Sequence, residues 1–167
     1  MKSLLYISLF IVLVGCSINY SFNGGKVPNG AKSVQIDYFP VANSAPLASG
    51  LTSQAFTEAL RDVFLSQTKL DMVSSEGDLR FEGEISSYTI SPINISSTSE
   101  TAQQNRLTVG VDVNYYIGAD SLIFNRKFRR FADYDSNQDF SGIEEDLLSE
   151  INDQLTQDIF NASLGDW

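Results

Sequence analysis

The sequence predicts an α+β fold, a two-layer sandwich in which two helices pack on one face of an antiparallel-rich (mixed) sheet of about four to five strands. Strict alternation over residues 107–117 places Leu, Val, Tyr and Ile on one side of a strand and mostly polar residues on the other. An apolar stripe at helical spacing through residues 143–164 indicates a helix that buries one side. The predicted order is strand, helix, short strand, three longer strands, helix.

The other elements are predicted from shorter patterns of the same two kinds. They are strands at residues 33–39, 70–73, 79–90 and 122–134, and a helix at residues 51–68. Pro40 ends the first strand, because proline disfavours extension of the preceding ladder. The turn at residues 118–121 predicts an antiparallel hairpin between the last two strands.

Three local features are predicted within this order. The alternation of the third strand breaks at Ser86-Ser87, which indicates a bulge or bend. Residues 91–105 are polar and rich in Ser and Thr, so we expect a mobile loop or hairpin tip. Ser141 and Glu144 have the S-x-x-E spacing of a capping box and predict the start of the last helix.

The N-terminus carries a targeting signal. Lys2 precedes an apolar run that is too short to span a bilayer, and Leu13-Val14-Gly15-Cys16 resembles the bacterial lipobox. The sequence therefore predicts a signal peptide at residues 1–15 and acylation of Cys16, the only cysteine. Residues 16–32 then form a lipid-anchored, extended leader, and residues 33–167 a single domain.

Composition limits the function further. The chain holds 11 basic and 21 acidic residues, and removal of residues 1–15, which contain Lys2 and no acid, changes the net charge from −10 to −11. So acidic a body is poorly suited to nucleic acid. Histidine is absent, which removes the commonest general base and metal ligand. With no nucleophile motif and no thiol left after acylation, we expect neither an enzyme nor a cofactor.

Residues 133–144 copy the D-x-D-x-N spacing of a calcium loop, with Glu144 at the twelfth position. Gln138 stands where the sharp turn needs glycine, and a strand rather than a helix precedes the segment. Asp and Asn also serve as ordinary turn and cap residues. We therefore favour a structural role for this segment, with calcium binding as the alternative.

A basic cluster lies on the last predicted strand. Its members are Arg126, Lys127, Arg129 and Arg130, to which Arg106 on the neighbouring strand can be added. On a strand, Arg126, Phe128 and Arg130 point one way, whereas Lys127, Arg129 and Phe131 point the other. The cluster predicts either cross-strand charge pairs with Asp112 or nearby acids, or an anion or phosphate site.

Several short segments, taken in order, resemble LptE, the lipoprotein family of lipopolysaccharide transport, in the form found in Bacteroidetes. The likeness rests on these segments: Tyr20-Ser21-Phe22, Tyr38-Phe39-Pro40, residues 57–68, residues 77–85, residues 105–108, Phe131-Ala132-Asp133 and residues 158–161. The resemblance implies the two-layer sandwich and a plug inside the LptD β-barrel, which places lipopolysaccharide in the outer leaflet.

The resemblance also implies an outer-membrane location, with the acyl chains on Cys16 as anchor and the domain facing the periplasm or the barrel lumen. The chemistry of the basic cluster suggests Arg106, Arg126, Lys127, Arg129 and Arg130 as contacts for the anionic glycolipid. The alternatives are another non-catalytic outer-membrane lipoprotein in barrel assembly or glycan handling, a carboxylate-based glycan hydrolase, and a calcium-binding lipoprotein.

Overall fold

A computed structural model describes residues 27–97 and 100–165, with side chains outside residues 94–103; the predicted signal peptide, Cys16 and most of the leader lie outside the described residues. The elements are β1 (Ser33–Ile36), α1 (Gly50–Gln67), β2 (Asp71–Val73), β3 (Leu79–Ser97), β4 (Glu100–Ile117), β5 (Ser121–Asp135) and α2 (Phe140–Leu164). The predicted element order is confirmed. Among the helices of the described part, none is long and apolar enough to cross a membrane.

The five strands form one mixed sheet in the order β2-β1-β3-β4-β5. β1 runs parallel to both β2 and β3, whereas β3, β4 and β5 pair antiparallel through two successive hairpins. Both helices lie on the same face of this sheet, so the predicted α+β two-layer sandwich is confirmed. The β1–β2 pair is parallel because α1 crosses back over the sheet between these two strands.

The core lies between the sheet and the two helices, and three rings join them. The ring centroid of Phe64 on α1 is 4.8 Å from that of Phe81 on β3 and 5.2 Å from that of Phe160 on α2. All three side chains are buried. Burial of a phenylalanine side chain contributes about 1.5–3 kcal/mol, so this contact is a principal link between the layers.

Ser49 is the N-cap residue of the helix α1. Ser49 Oγ accepts from the Thr52 N–H, and Thr52 Oγ1 accepts from the Ser49 N–H at 3.2 Å, which together form a capping box. Phe56, Leu60 and Phe64 recur every four residues and are fully buried against the sheet. The predicted bounds of this helix differ from the observed bounds by one residue at each end.

The first strand is shorter than predicted. β1 ends at Ile36 rather than at residue 39, because the chain turns toward α1 there. The Phe39 N–H donates to Thr57 Oγ1 on the helix at 3.2 Å, and Val41 returns to the sheet through a single bridge to Ile85. Since a main-chain N–H bonded to a helix cannot join a ladder, the strand stops before Pro40.

Of the two expectations for residues 91–105, the hairpin tip is confirmed and the mobile loop was wrong. β3 and β4 continue through it, with backbone pairing from Ser91↔Arg106 to Ser97↔Glu100. Beyond Ile93↔Gln104 these two strands extend past the end of β5, which pairs no further than Gln104↔Asp135. A segment rich in Ser and Thr can therefore form a regular hairpin, because the ladder satisfies its backbone groups whatever its side chains.

The predicted bend at Ser86-Ser87 is confirmed as a β-bulge. Ile85 pairs with Val111 and Ser87 with Gly110, so Ser86 has no partner across the strand. The extra residue changes which positions of β3 face the helices. Tyr88 therefore lies on the helix side together with Ile85, and its hydroxyl reaches α2.

The predicted capping box at Ser141 and Glu144 was wrong. Asp139 is the N-cap of α2: its carboxylate accepts from the Ser141 N–H and from Ser141 Oγ at 2.8 Å. Glu144 instead accepts the Tyr88 hydroxyl at 2.6 Å. Burial and this hydrogen bond raise the pKa of Tyr88 well above its usual value, so the phenol remains a neutral donor.

Asp78, just before β3, holds the start of β1. One carboxylate oxygen accepts from the N–H of Lys32, the N–H of Ser33 and the Ser33 hydroxyl at 2.8, 3.0 and 2.9 Å. The hydrogen bond from the Lys32 backbone and those from Ser33 lower the pKa of Asp78 below its ordinary value of 3.8. The ionised form therefore favours the folded state above that pH.

We expect Asp78→Asn to make the free energy of unfolding less sensitive to acid. The stabilisation from a carboxylate with a lowered pKa is complete above the unfolded value and is lost as the pH falls through the folded value. Urea unfolding at pH 7 and at steps below pH 5 checks this. Asp120→Asn, in an exposed turn, is the matched control. Equal acid sensitivity of the two variants would contradict the assignment.

Candidate functional site: the basic strand and the open face

One face of the sheet carries no covering element among the residues that the structure describes, and we call it the open face. Residues paired across antiparallel strands share a face, so the register defines its members. The open face of β3, β4 and β5 is mostly polar and comprises Arg80, Glu82, Glu84, Thr89, Arg106, Thr108, Asp112, Asn114, Tyr116, Asn125, Lys127, Arg129, Phe131 and Asp133.

The predicted alternation of the basic cluster is confirmed by the register of β5. Arg126, Phe128 and Arg130 pair with Val113, Val111 and Val109, which are fully buried under the helices. Lys127 and Arg129 pair with Asp112 and Gly110 on the open face, which also carries the Arg106↔Asp133 pair. The structure thus brings Arg106, Lys127 and Arg129 to one face and puts Arg126 and Arg130 on the other.

Cross-strand charge pairs hold two cations of the open face, as one of the two sequence interpretations predicted. Lys127 Nζ lies 2.6 Å from Asp112 Oδ2, which confirms that predicted pair. Arg106 binds Asp133 through two bonds of 2.6 and 2.8 Å, and its guanidinium lies 3.6 Å from the centre of the Phe131 ring. Exposed pairs of this kind contribute about 0.2–1 kcal/mol each, so an incoming anion can compete for these cations.

These pairs change the acidity of their carboxyl groups. The hydrogen bond from Arg106 lowers the pKa of Asp133 despite some burial. Burial alone would raise the pKa of Asp112, but the hydrogen bonds from Lys127 and Ser86 outweigh it and lower the pKa. Both carboxylates are therefore ionised at neutral pH, and both ion pairs are present there.

The remaining cations differ in their surroundings. Arg130 binds Asp158 of α2 through bonds of 2.6 and 2.8 Å, and so fastens β5 to the helix layer. Arg126 lies 5.1 Å from the centre of the Phe124 ring. Neither Arg126 nor Arg129 forms an ion pair with any residue in the described ranges, and both are exposed. Arg129 is thus the most available cation of the open face.

In the candidate calcium loop at residues 133–144, the first and last ligand side chains are bound by other residues. Asp133 is bound by Arg106, and Glu144 by Tyr88 on the opposite side of the sheet. Asp135 accepts from the N–H and side chain of Asn137, as an ordinary turn residue does. In the described ranges, no three acidic or thiol side chains group closely enough for a metal ion.

Sequence reasoning missed a second polar network at the other end of the open face. Glu82 on β3 accepts from Arg80 at 2.8 Å and from the Tyr116 hydroxyl at 2.7 Å, and the Arg80 guanidinium stacks 4.2 Å from the Tyr116 ring centre. The alternation of polar and apolar residues in β3 and β4 predicts that these side chains share the polar face. It does not predict which of them contact each other. The open face is thus polar, and most of its charged side chains are paired with a neighbour on the same face.

A two-layer α+β domain with one polar face defines the class of this protein, and the same fold occurs in solved bacterial structures. A minor lipoprotein from Acinetobacter baumannii is 14% identical, with a TM-score of 0.50 over 78% of this chain and 91% of that one. A homolog of a neuraminyllactose-binding hemagglutinin from Helicobacter pylori is 11% identical, with a TM-score of 0.57 over 84% and 87%. A protein from Xanthomonas campestris is 10% identical, with a TM-score of 0.56 over 84% and 89%.

At these identities the structural matches show the fold alone, whereas the sequence shows the family. The chain belongs to LptE, the lipopolysaccharide-assembly family, which matches residues 31–163. The resemblance found in the sequence is therefore confirmed at the level of the family. Membership supports a role as an outer-membrane lipoprotein of lipopolysaccharide assembly. No curated protein matches the chain.

Proposed function

We propose that this protein is a lipid-anchored, non-catalytic accessory protein that associates with an LptD-type β-barrel and assists the assembly of lipopolysaccharide in the outer leaflet. Membership of the LptE family supports a role in lipopolysaccharide assembly. The open face is the observation that favours a barrel partner. The lumen of an outer-membrane barrel is polar, so a plug must present polar, satisfied side chains to it. The open face is polar over three long strands, and most of its charged side chains are paired.

The anchor is part of the same proposal. Acylation of Cys16 would attach the chain to the periplasmic leaflet of the outer membrane, where each buried methylene contributes about 0.8 kcal/mol and two or more chains give stable attachment. The ten residues between Cys16 and Val27 can span at most about 3.5 Å each when extended. The domain is thereby restricted to the neighbourhood of the membrane and of a barrel embedded in it.

Direct contact with glycolipid is the finer part of the proposal. Phosphate accepts bidentate bonds from Arg, and the row formed by Arg106, Lys127 and Arg129 presents three cations on one face. Arg126 and Arg130 lie on the other side of β5 and would act mainly through longer-range attraction, which salt screens. We propose that the open-face row makes the direct contact.

We expect Arg129→Ser to weaken binding of lipopolysaccharide by about fivefold, a loss of about 1 kcal/mol, because one exposed charge-assisted bond disappears. Titration of the purified full chain in detergent with fluorescent lipopolysaccharide at low salt measures this. Arg126→Ser is the matched control, since it removes the same charge from the opposite side of the same strand. Equal losses would contradict a face-specific contact, and unchanged binding in both would remove direct contact by these residues.

A further inference from the structure

A groove of about 580 Å³ lies on the outer surface of the helix layer, away from the open face. It runs between the first half of α1 and the first half of α2. The two helices are parallel neighbours there, since Gln67 near the end of α1 donates to Gln157 of α2 at 2.8 Å. Small side chains at Ala55, Ala59 and Ser149 line the seam, and their size leaves it open.

The charges around this groove have one sign. Its titratable lining residues are Glu58, Glu144, Glu145 and Asp153, and the lining contains no Lys or Arg. Glu144 is engaged by Tyr88, and Glu58 by Gln54 at 2.9 Å. Glu145 and Asp153 are exposed and form no ion pair with the described residues. Two carboxylates are therefore available to an incoming cation.

The lining of the groove adds two independent features. Leu51, at the start of α1, is 76% exposed, an unusual state for a large apolar side chain, and it faces the groove together with Leu148. Asn152 also lines the groove and is only 3% exposed, yet its Oδ1 has no hydrogen-bond donor among the described residues. An unsatisfied buried carbonyl costs about 1–3 kcal/mol, which a donor from a bound partner would recover.

We propose that this groove binds a segment of a partner protein in which basic side chains flank one apolar side chain. The apolar side chain would rest on Leu51 and Leu148. The flanking Lys or Arg side chains would bind Glu145 and Asp153, and an N–H group of the segment would reach Asn152. The proposal rests on the helix layer alone and is independent of the barrel partner and of the basic cluster on β5.

The test uses the purified full chain in detergent and a fluorescein-labelled peptide with two Lys-Leu-Lys triplets, followed by anisotropy at moderate salt. We expect saturable binding that Glu145→Gln/Asp153→Asn weakens at least fivefold. Asp146→Asn/Glu150→Gln is the matched control, because it removes two exposed charges from the same helix outside the groove. This control should change the affinity by less than twofold.

A second pair of variants tests the apolar contact. Leu51→Ala should weaken binding at least threefold, whereas Leu65→Ala, on the same helix outside the groove and 51% exposed, should not. Circular dichroism confirms that all variants are folded. Equal losses in the groove and control variants, binding of a Glu-Leu-Glu peptide as strong as that of the Lys-Leu-Lys peptide, or no saturable binding would each overturn the proposal.

Discussion

Phe64→Ala is expected to lower the free energy of unfolding by about 3–5 kcal/mol, because the ring is fully buried and links three elements. Its contacts with Phe81 and Phe160 join α1 to β3 and to α2 at the same point. The neighbours cannot close the gap without moving one helix relative to the sheet, so most of the cavity persists. A small domain has about 5–15 kcal/mol of stability in total, and the variant should therefore be near its limit.

Urea unfolding followed by circular dichroism measures this difference. Leu65→Ala is the control, since it truncates an apolar side chain at the next residue of α1, which is half-exposed. We expect that control to lose less than about 1 kcal/mol. A Phe64→Ala variant no less stable than the Leu65→Ala variant would show that the three rings do not hold the layers together.

Gly83→Ala is expected to cost about 3 kcal/mol or more, because a Cβ at this position of β3 has no room. It would lie 2.8 Å from the Phe39 ring and would overlap the backbone carbonyl of Asp112 on β4. The ring can move slightly, but the carbonyl belongs to a central ladder and cannot. Strands β3 and β4 would therefore have to separate locally.

Gly142→Ala in the first turn of α2 provides the opposite control, because nothing lies within 4 Å of the Cβ it would add. Alanine favours a helix over glycine, so we expect this variant to be neutral or up to about 1 kcal/mol more stable. Thermal unfolding of the two variants side by side checks the sign of each effect. A neutral Gly83→Ala would mean that β4 does not approach β3 at Gly83 as closely as the ladder places it.

The fold was predictable where one pattern dominated. The alternation of residues 107–117 and the stripe of residues 143–164 each required burial on one side, and β4 and α2 contain those ranges. Predictions were wrong where burial gave no signal. Residues 91–97 and 100–105 form a ladder held by backbone pairing, and the α2 cap is Asp139 rather than Ser141, since both residue types can cap a helix.

The candidate site was predictable in part for a similar reason. Strand periodicity correctly divided the basic cluster between two faces, and it named Asp112 as a partner for that cluster. The pairing of Arg106 with Asp133 depends on the register between β4 and β5, which single-strand patterns do not contain. The groove between α1 and α2 depends on how two helices pack, and sequence spacing within one helix could not indicate it.

Affinity purification of the C-terminally tagged full chain from solubilised outer membrane tests the central claim most directly. We predict recovery of a large β-barrel protein in stoichiometric amount, identified by mass spectrometry, and loss of that partner when Cys16→Ala removes the anchor. Recovery of the chain alone, or with soluble glycan-processing proteins in place of a barrel, would contradict the proposed role in lipopolysaccharide assembly.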